Sequence, residues 1–221
     1  SSRLVIALGI AGCVITAGCD LSAGRMIGFG ACISGMLLQR MDYSGKFFPD
    51  MQPLNVFVVA LIAMLVCAAF GTVTGFFIAY LNVPPFIATL AMMEIVYGIG
   101  LIVTNATPLG GYVEQYTNVS NGKFLGINYL IWIAIIVAAI TWFIFNMTRH
   151  GKYMYAIGGN PQAAEVAGVP VKATLILIYM KAAAMYGLAG FMLGAKAGGA
   201  SVNLGYGYEM EAIAACTIGG V

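Results

Sequence analysis

The chain alternates between long apolar runs and short polar ones, and the polar ones set the boundaries. No charged residue lies between Asp50 and Glu94, an interval of 43 residues. A membrane-spanning helix needs about 20 apolar residues, so the interval holds two. They divide at Asn82-Val83-Pro84-Pro85, where paired prolines break the helical hydrogen-bond ladder. The pattern predicts helices over 53–81 and 86–103. A polar segment, 104–128, follows with Pro108, Gly110-Gly111, Asn118 and Asn121-Gly122. The next span is predicted over 129–147, with Tyr129, Trp132 and Trp142 towards its ends, where interfacial aromatics often sit. A second polar segment, 148–172, carries Arg149, His150, Lys152 and Lys172 against Glu165. A further span covers 173–195, and from Glu209 the chain enters one more apolar segment.

The N-terminal part allows two readings. Residues 4–19 and 26–39 are apolar but short, and Asp20-Leu21-Ser22-Ala23-Gly24-Arg25 lies between them. They form either two short spans joined by a turn or one helix broken inside the membrane, and the broken helix is favoured. The basic excess of 148–172 assigns that segment to the cytoplasmic side. Alternation then puts 104–128 outside, the double-proline turn inside and 40–52 outside. On the broken-helix reading Arg3 lies inside, and on the two-span reading outside. A faint repeat supports the break: Ile10-Ala11-Gly12-Cys13-Val14-Ile15-Thr16-Ala17-Gly18 is similar, with one gap, to Ile213-Ala214-Ala215-Cys216-Thr217-Ile218-Gly219-Gly220. Transporters are often built from internal repeats with matching interrupted helices.

Composition narrows the class. Charged residues make up 8% of the chain and hydrophobic residues 61%. A soluble fold of this size still exposes roughly 30% of its unfolded surface and cannot hide so much apolar area. A net charge of +2 leaves no basic face for nucleic acid. The 29 glycines point to tightly packed transmembrane helices. The expected fold is an all-α, polytopic transmembrane helix bundle with interrupted helices and a short cytoplasmic coupling helix, residues 1–221 forming one domain. The five cysteines lie in apolar stretches with no CxxC pair, and no metal-ligand spacing, P-loop or nucleophile–base pair is present. Gly71 and Gly75, Gly24 and Gly28, Gly190 and Gly194, and Gly194 and Gly198 share a four-residue spacing suited to close helix packing.

Several residues stand out as candidates for function. Gly158-Gly159 is expected to form a flexible turn, Asn160 to cap a short helix, and Pro161 to occupy its first position. Gln162, Ala163 and Ala164 continue that helix, and Gly168 closes it in the left-handed conformation. The bland reading is a surface helix joining two spans. The functional one is a knob whose face of Ala163, Ala164 and Ala167 docks on a cytoplasmic partner. Asp20, deep in an apolar segment, is costly there; it is expected to cap a helix at Leu21 with Arg25 within reach. Thr16, Ser22, Asn203, Glu209 and Glu211 join Asp20 as candidates for a translocation path or helix break. Glu94 and Lys181 each fall inside a predicted span, where a charge is expensive alone; either the two pair, or Lys181 snorkels towards the cytoplasm and Glu94 faces a wet crevice. His150 is expected to be solvated.

Gln162-Ala163-Ala164 followed by Gly168 resembles the loop through which ABC importer permeases meet their ATPase. Tyr155 to Pro161, Asn203 to Ala215, and Thr16 to Arg25 are similar to the monosaccharide branch of that family, the ribose, galactose and xylose permeases. The similarity runs through essentially the whole chain, which resembles such a permease without its first and last spans. One departure is Gln162, where the loop motif has Glu. The resemblance implies a non-enzymatic transport subunit in the bacterial inner membrane, a homodimer working by alternating access. It further implies a cytoplasmic ATPase that binds ATP–Mg, no cofactor in this chain, and a periplasmic sugar-binding protein. The rival reading is a secondary transporter or channel that needs no ATPase.

Overall fold

A computed structural model describes residues 1–220. The helices are α1 (Ser2–Ile15), α2 (Ala23–Leu37), α3 (Val56–Leu81), α4 (Pro85–Thr104), α5 (Glu114–Asn121), α6 (Tyr129–Met147), α7 (Arg149–Gly159), α8 (Pro161–Val166), α9 (Val171–Ala197) and α10 (Tyr208–Ile218). A small antiparallel hairpin of β1 (Lys123–Phe124) and β2 (Ile127–Asn128) lies between α5 and α6. The chain is all-α in class. Helices α3, α4, α6 and α9 are long and apolar enough to cross a membrane.

Local chemistry explains where these spans start and stop. Asn55 and Asn128 cap α3 and α6, their Oδ1 atoms accepting from the N–H groups of Phe57 (2.9 Å) and Leu130 (2.8 Å). Each satisfies a backbone donor that has no partner within its helix. Asn82 ends α3 in the left-handed region, at φ 52°. Pro85 then opens α4 at a first position where a missing N–H costs nothing.

Helix α9 is the centre of the bundle. Its sequence is apolar around most of its circumference, and more than half of its apolar stretch is buried, against 17% for α6. Helices α1, α2 and α3 pack along it. Glycine sets the closeness of two of these contacts. A Cβ on Gly71 of α3 would meet the carbonyl of Tyr179, and one on Gly187 of α9 the carbonyl of Ala63. Of the paired glycines, Gly71 and Gly75 thus mark the α3–α9 seam, and Gly190, facing the Ile27 carbonyl of α2, marks the α2–α9 seam.

The favoured reading of the N-terminal segment is overturned. Ser2 and Arg3 lie beside Leu193 and Lys196, near the end of α9. Gly9 lies against Ala182 and Tyr186, and Gly12 against Ile178, so α1 runs antiparallel to α9. Helix α2 runs back. Its Ala31 reaches Gly194, and Leu37 and Leu38 accept bonds from Leu54 and Val113 (3.4 and 2.9 Å). Both outer ends of the α1–α2 pair thus share one end of the bundle, together with Arg3. The reversal follows from two tight local turns, described below, that no uninterrupted helix axis could pass.

That same end is tied together by long-range bonds. Leu109 and Ala200 exchange backbone hydrogen bonds (2.8 and 2.9 Å). The Gln39 amide donates to the Gly110 carbonyl (3.0 Å), and the Tyr116 hydroxyl donates to the Phe191 carbonyl (2.7 Å). Segment 104–128 is therefore a folded cap over α9. The opposite end carries the double-proline turn and α8.

Close approach at the α3–α9 seam has a measurable consequence. Gly71→Leu forces a side chain into the Tyr179 backbone, and overpacking of this kind costs about 1–3 kcal/mol or more. Gly98, where no atom lies within 4 Å of an added Cβ, accepts Ala without loss. Thermal unfolding in detergent should show a lowered midpoint for the first variant and an unchanged or raised one for the second.

Candidate functional site

Two non-helical stretches penetrate the bundle, and the first is 16–22. Helix α1 ends with the Ala17 N–H donating to the Val14 carbonyl and the Gly18 N–H to the Cys13 carbonyl, both at 2.9 Å. This is the paired bonding of a Schellman stop. It needs a left-handed residue, which is Ala17, at φ 56°. A side chain there costs about 1–2 kcal/mol, so surrounding contacts must hold it. The Thr16 hydroxyl donates to the carbonyls of Gly12 (3.2 Å) and Cys13 (3.0 Å). The Thr89 hydroxyl of α4 donates to the Cys19 carbonyl (3.3 Å).

Asp20 is the polar centre of this break and is buried. Its Oδ1 accepts from the Ser22 N–H (3.0 Å) and the Ser22 hydroxyl (2.6 Å), closing an Asx turn. Its Oδ2 accepts from the Tyr186 hydroxyl of α9 (3.1 Å). The expectation that Asp20 caps a helix at Leu21 and reaches Arg25 is corrected on both counts. Helix α2 starts at Ala23 behind Ser22, and Asp20 turns towards Tyr186, while Arg25 projects elsewhere.

Arg25 meets the second stretch, 198–207. Its guanidinium donates to Asn203 Oδ1 and lies over the rings of Tyr97 (4.0 Å) and Tyr206 (4.5 Å). The stretch runs along α2, with Val202 against Gly28 and Gly205 against Gly24. Buried Glu209 accepts from the Gly207 N–H (3.0 Å) and so closes the turn into α10. Glu211 belongs elsewhere: it pairs with Arg3 (3.1 Å), and both side chains are exposed. Thr16, Asp20 and Ser22 thus come together in one break, Asn203 and Glu209 in the other, and Glu211 in neither.

Of the two readings of Glu94 and Lys181, the ion pair is not formed. Helix α4 packs on α2 and α3, and Glu94 sits on its exposed face. Lys181 instead lines a small pocket with His150, Gly12, Thr141 and Met154. His150 is therefore half-buried rather than solvated, and its Nε2 has no hydrogen-bond partner. Burial, with the nearby Lys181 charge second, pulls its pKa down to about 4.

Segment 148–172 folds as two helices. Gly158 and Gly159 belong to the last turn of α7, not to a flexible turn. The physical reason is a contact: a Cβ on Gly158 would collide with the Ile15 carbonyl at the end of α1. Gly158 therefore lets α7 rest directly on the break. Asn160 caps α8, its Oδ1 accepting from the Ala163 N–H (2.9 Å), and Pro161 takes the first position. Gly168 closes the helix at φ 83°, with the Val169 N–H donating to the Ala164 carbonyl (3.0 Å). Ala164 points inward and is buried, so the exposed face is Gln162, Ala163, Glu165, Val166 and Ala167. Val166 is 91% exposed, an apolar tip that sequence patterning overlooked. Tyr186, Thr89 and Tyr97 were also overlooked, because each acts across the fold. Among the described residues no cluster of His, Cys, Asp and Glu could hold a metal ion.

Residues 2–221 match the family described as branched-chain amino acid transport system / permease component. The chain is 43% identical over 228 residues to the galactose/methyl galactoside import permease protein MglC of Escherichia coli, covering 100% of this chain and 68% of that protein. It is 44% identical to the protein of the same name from Haemophilus influenzae, with the same coverage. The ribose import permease protein RbsC of Escherichia coli is 31% identical over 224 residues, covering 100% of this chain and 66% of that protein. No solved structure matches the chain.

Removal of the Asp20 carboxylate tests the break. Asp20→Ala leaves buried donors on Ser22 and Tyr186 unpaired, at about 1–3 kcal/mol each; Tyr186→Phe removes one donor and should cost less. Thermal unfolding of both variants in detergent should rank them in that order.

Proposed function

This chain belongs to the branched-chain amino acid transport system / permease component family, and we propose that its cargo is a monosaccharide, galactose or a methyl galactoside. It is a membrane-embedded permease subunit of an ABC importer, a transport component rather than an enzyme. The names of its relatives support the cargo: proteins 43% and 44% identical to it are galactose/methyl galactoside import permeases, ahead of a ribose permease at 31%.

The proposed complex has three further parts: a second copy of this chain, a cytoplasmic ATPase holding ATP–Mg, and a periplasmic binding protein that delivers the sugar. The observation that carries the coupling role is α8 itself. It stands at the end of the bundle with Gln162, Ala163 and Val166 exposed; buried Ala164 anchors it beneath, and the left-handed Gly168 ends it. A partner gripping this tip moves α7 with it. Gly158 of α7 abuts Ile15, and Ile15 is the last residue of α1 before the left-handed Ala17. Force on α8 therefore reaches the break through backbone contact. The break is held to α4 and α9 by single hydrogen bonds from Thr89 and Tyr186, which a rocking motion could exchange. Gln162 keeps a polar side chain where related loops carry Glu, so this contact relies on shape and hydrogen bonding more than on charge.

Gly168→Asp puts a side chain in the left-handed region at the foot of α8 and adds a charge beside the docking face. In membranes containing the ATPase and binding protein, ATP-dependent uptake of labelled galactose should be lost while the variant still inserts at normal levels. Normal uptake would remove the docking assignment. Wild-type uptake that survives ATP depletion would remove the ABC reading itself.

A further inference from the structure

We infer that Arg25 and the free face of the Tyr206 ring form a sugar contact within the translocation path, one that recognises a neutral polyol. This rests on the sugar-import reading above and assigns part of the path to particular residues.

Arg25 sits on the first turn of α2, well inside the bundle: two residues on, Ile27 faces Gly190 of α9, and three on, Gly28 faces Val202. A cation at such depth is costly against lipid and turns to the protein interior or to a wet cavity. Carboxylates are the usual answer to its charge, yet among the described residues Arg25 has no ion pair. Two ring faces and one amide oxygen meet it instead, and its Nε is buried without a partner. Aromatic faces offset a guanidinium charge partly while leaving its in-plane N–H groups available.

The stretch that supplies Asn203 and Tyr206 gives the direction. Its backbone is not helical, and it lies alongside α2 at membrane depth. Backbone of this kind persists in a membrane only where protein surrounds it or water reaches it. Asn203 is exposed and Tyr206 is 64% exposed; polar groups left open at this depth call for water rather than lipid beside them. Glu94, three residues before Tyr97 on α4, is also exposed, and residues at that spacing neighbour each other on a helix surface. The wall therefore offers N–H donors, a carboxylate acceptor and an aromatic face. A pyranose presents the complement: hydroxyls that accept and donate, and one apolar C–H face that stacks on a ring. With one charge of each sign, the wall has no net preference for an anionic over a cationic solute. The path thus acquires a use for Glu94 that an ion pair with Lys181 would have denied it.

The test uses proteoliposomes holding the permease with its ATPase and a binding protein preloaded with either galactose or 2-deoxygalactose. The readout is sugar moved per ATP hydrolysed, which does not depend on how much complex assembles. Tyr206→Ala should lower it by about fivefold or more, since a stacking contact of this kind is worth roughly 1 kcal/mol, and Tyr206→Phe should restore it. Arg25→Lys, which loses the planar fork of donors, should shrink the preference for galactose over 2-deoxygalactose. Uptake and ATP hydrolysis falling in equal proportion in Tyr206→Ala, or an unchanged sugar preference in Arg25→Lys, would overturn the assignment and leave a structural clamp. A wild-type complex that moves neither sugar on ATP would overturn the import reading and this contact together.

Discussion

The close approach of α9 to α2 and α3 is the constraint on which the rest of the bundle depends. Between helices in lipid there is no water to expel, so association draws on packing and on hydrogen bonds. Gly71, Gly187 and Gly190 bring backbone against the carbonyls of Tyr179, Ala63 and Ile27. That proximity makes α9 a rigid post with its polar groups in fixed places. Tyr186 can then hold Asp20, and the Phe191 carbonyl can receive Tyr116. The folded cap of 104–128, the first break and the two arms of the α1–α2 hairpin all take their position from this one helix.

Against that rigid post stand two stretches where the helical ladder is interrupted. Each has backbone groups answered locally, by a Schellman stop and an Asx turn at 16–22, and around 198–207 by the Glu209 carboxylate and the Asn203 carbonyl, which accept from the N–H groups of Gly207 and Tyr206. Neither is a weak spot in the ordinary sense, because every group named has a partner. They differ in what surrounds them. The first is buried from Asp20 to Ser22 but exposed at Ala17, and Ile15, at its head, meets α7 through Gly158. The second is open on the side of Tyr206. On the proposed function the two divide the labour: one break takes up force from the α8 end, and the other faces the solute.

Much of this was legible in the chain. The charge-free interval from Asp50 to Glu94 located α3 and α4, and the run from Tyr129 located α6 to the residue, because span length and capping are local properties. Asn160, Pro161 and Gly168 marked α8 for the same reason. What escaped depends on contacts between distant elements. Arg3 and Leu38 share an end of the bundle only because 16–22 reverses the chain, and no periodicity records a reversal. Gly158-Gly159 reads as a turn in isolation but continues a helix, since its lack of a side chain serves a contact with Ile15. Arg25 was assigned to Asp20 on sequence proximity, whereas the fold brings it Asn203, 178 residues away. Glu94 and Lys181 failed to meet because α4 packs on α2 and α3.

The central claim is that α8, α7 and α1 move as one body when the ATPase engages. Pulsed electron spin resonance on the assembled complex measures this directly, with spin labels replacing Gln162 and Ser2 in one sample and Gln162 and Phe57 in another. On adding ATP, the Gln162–Ser2 distance should stay constant while the Gln162–Phe57 distance changes. A Gln162–Ser2 distance that changes, with Gln162–Phe57 constant, would contradict the account.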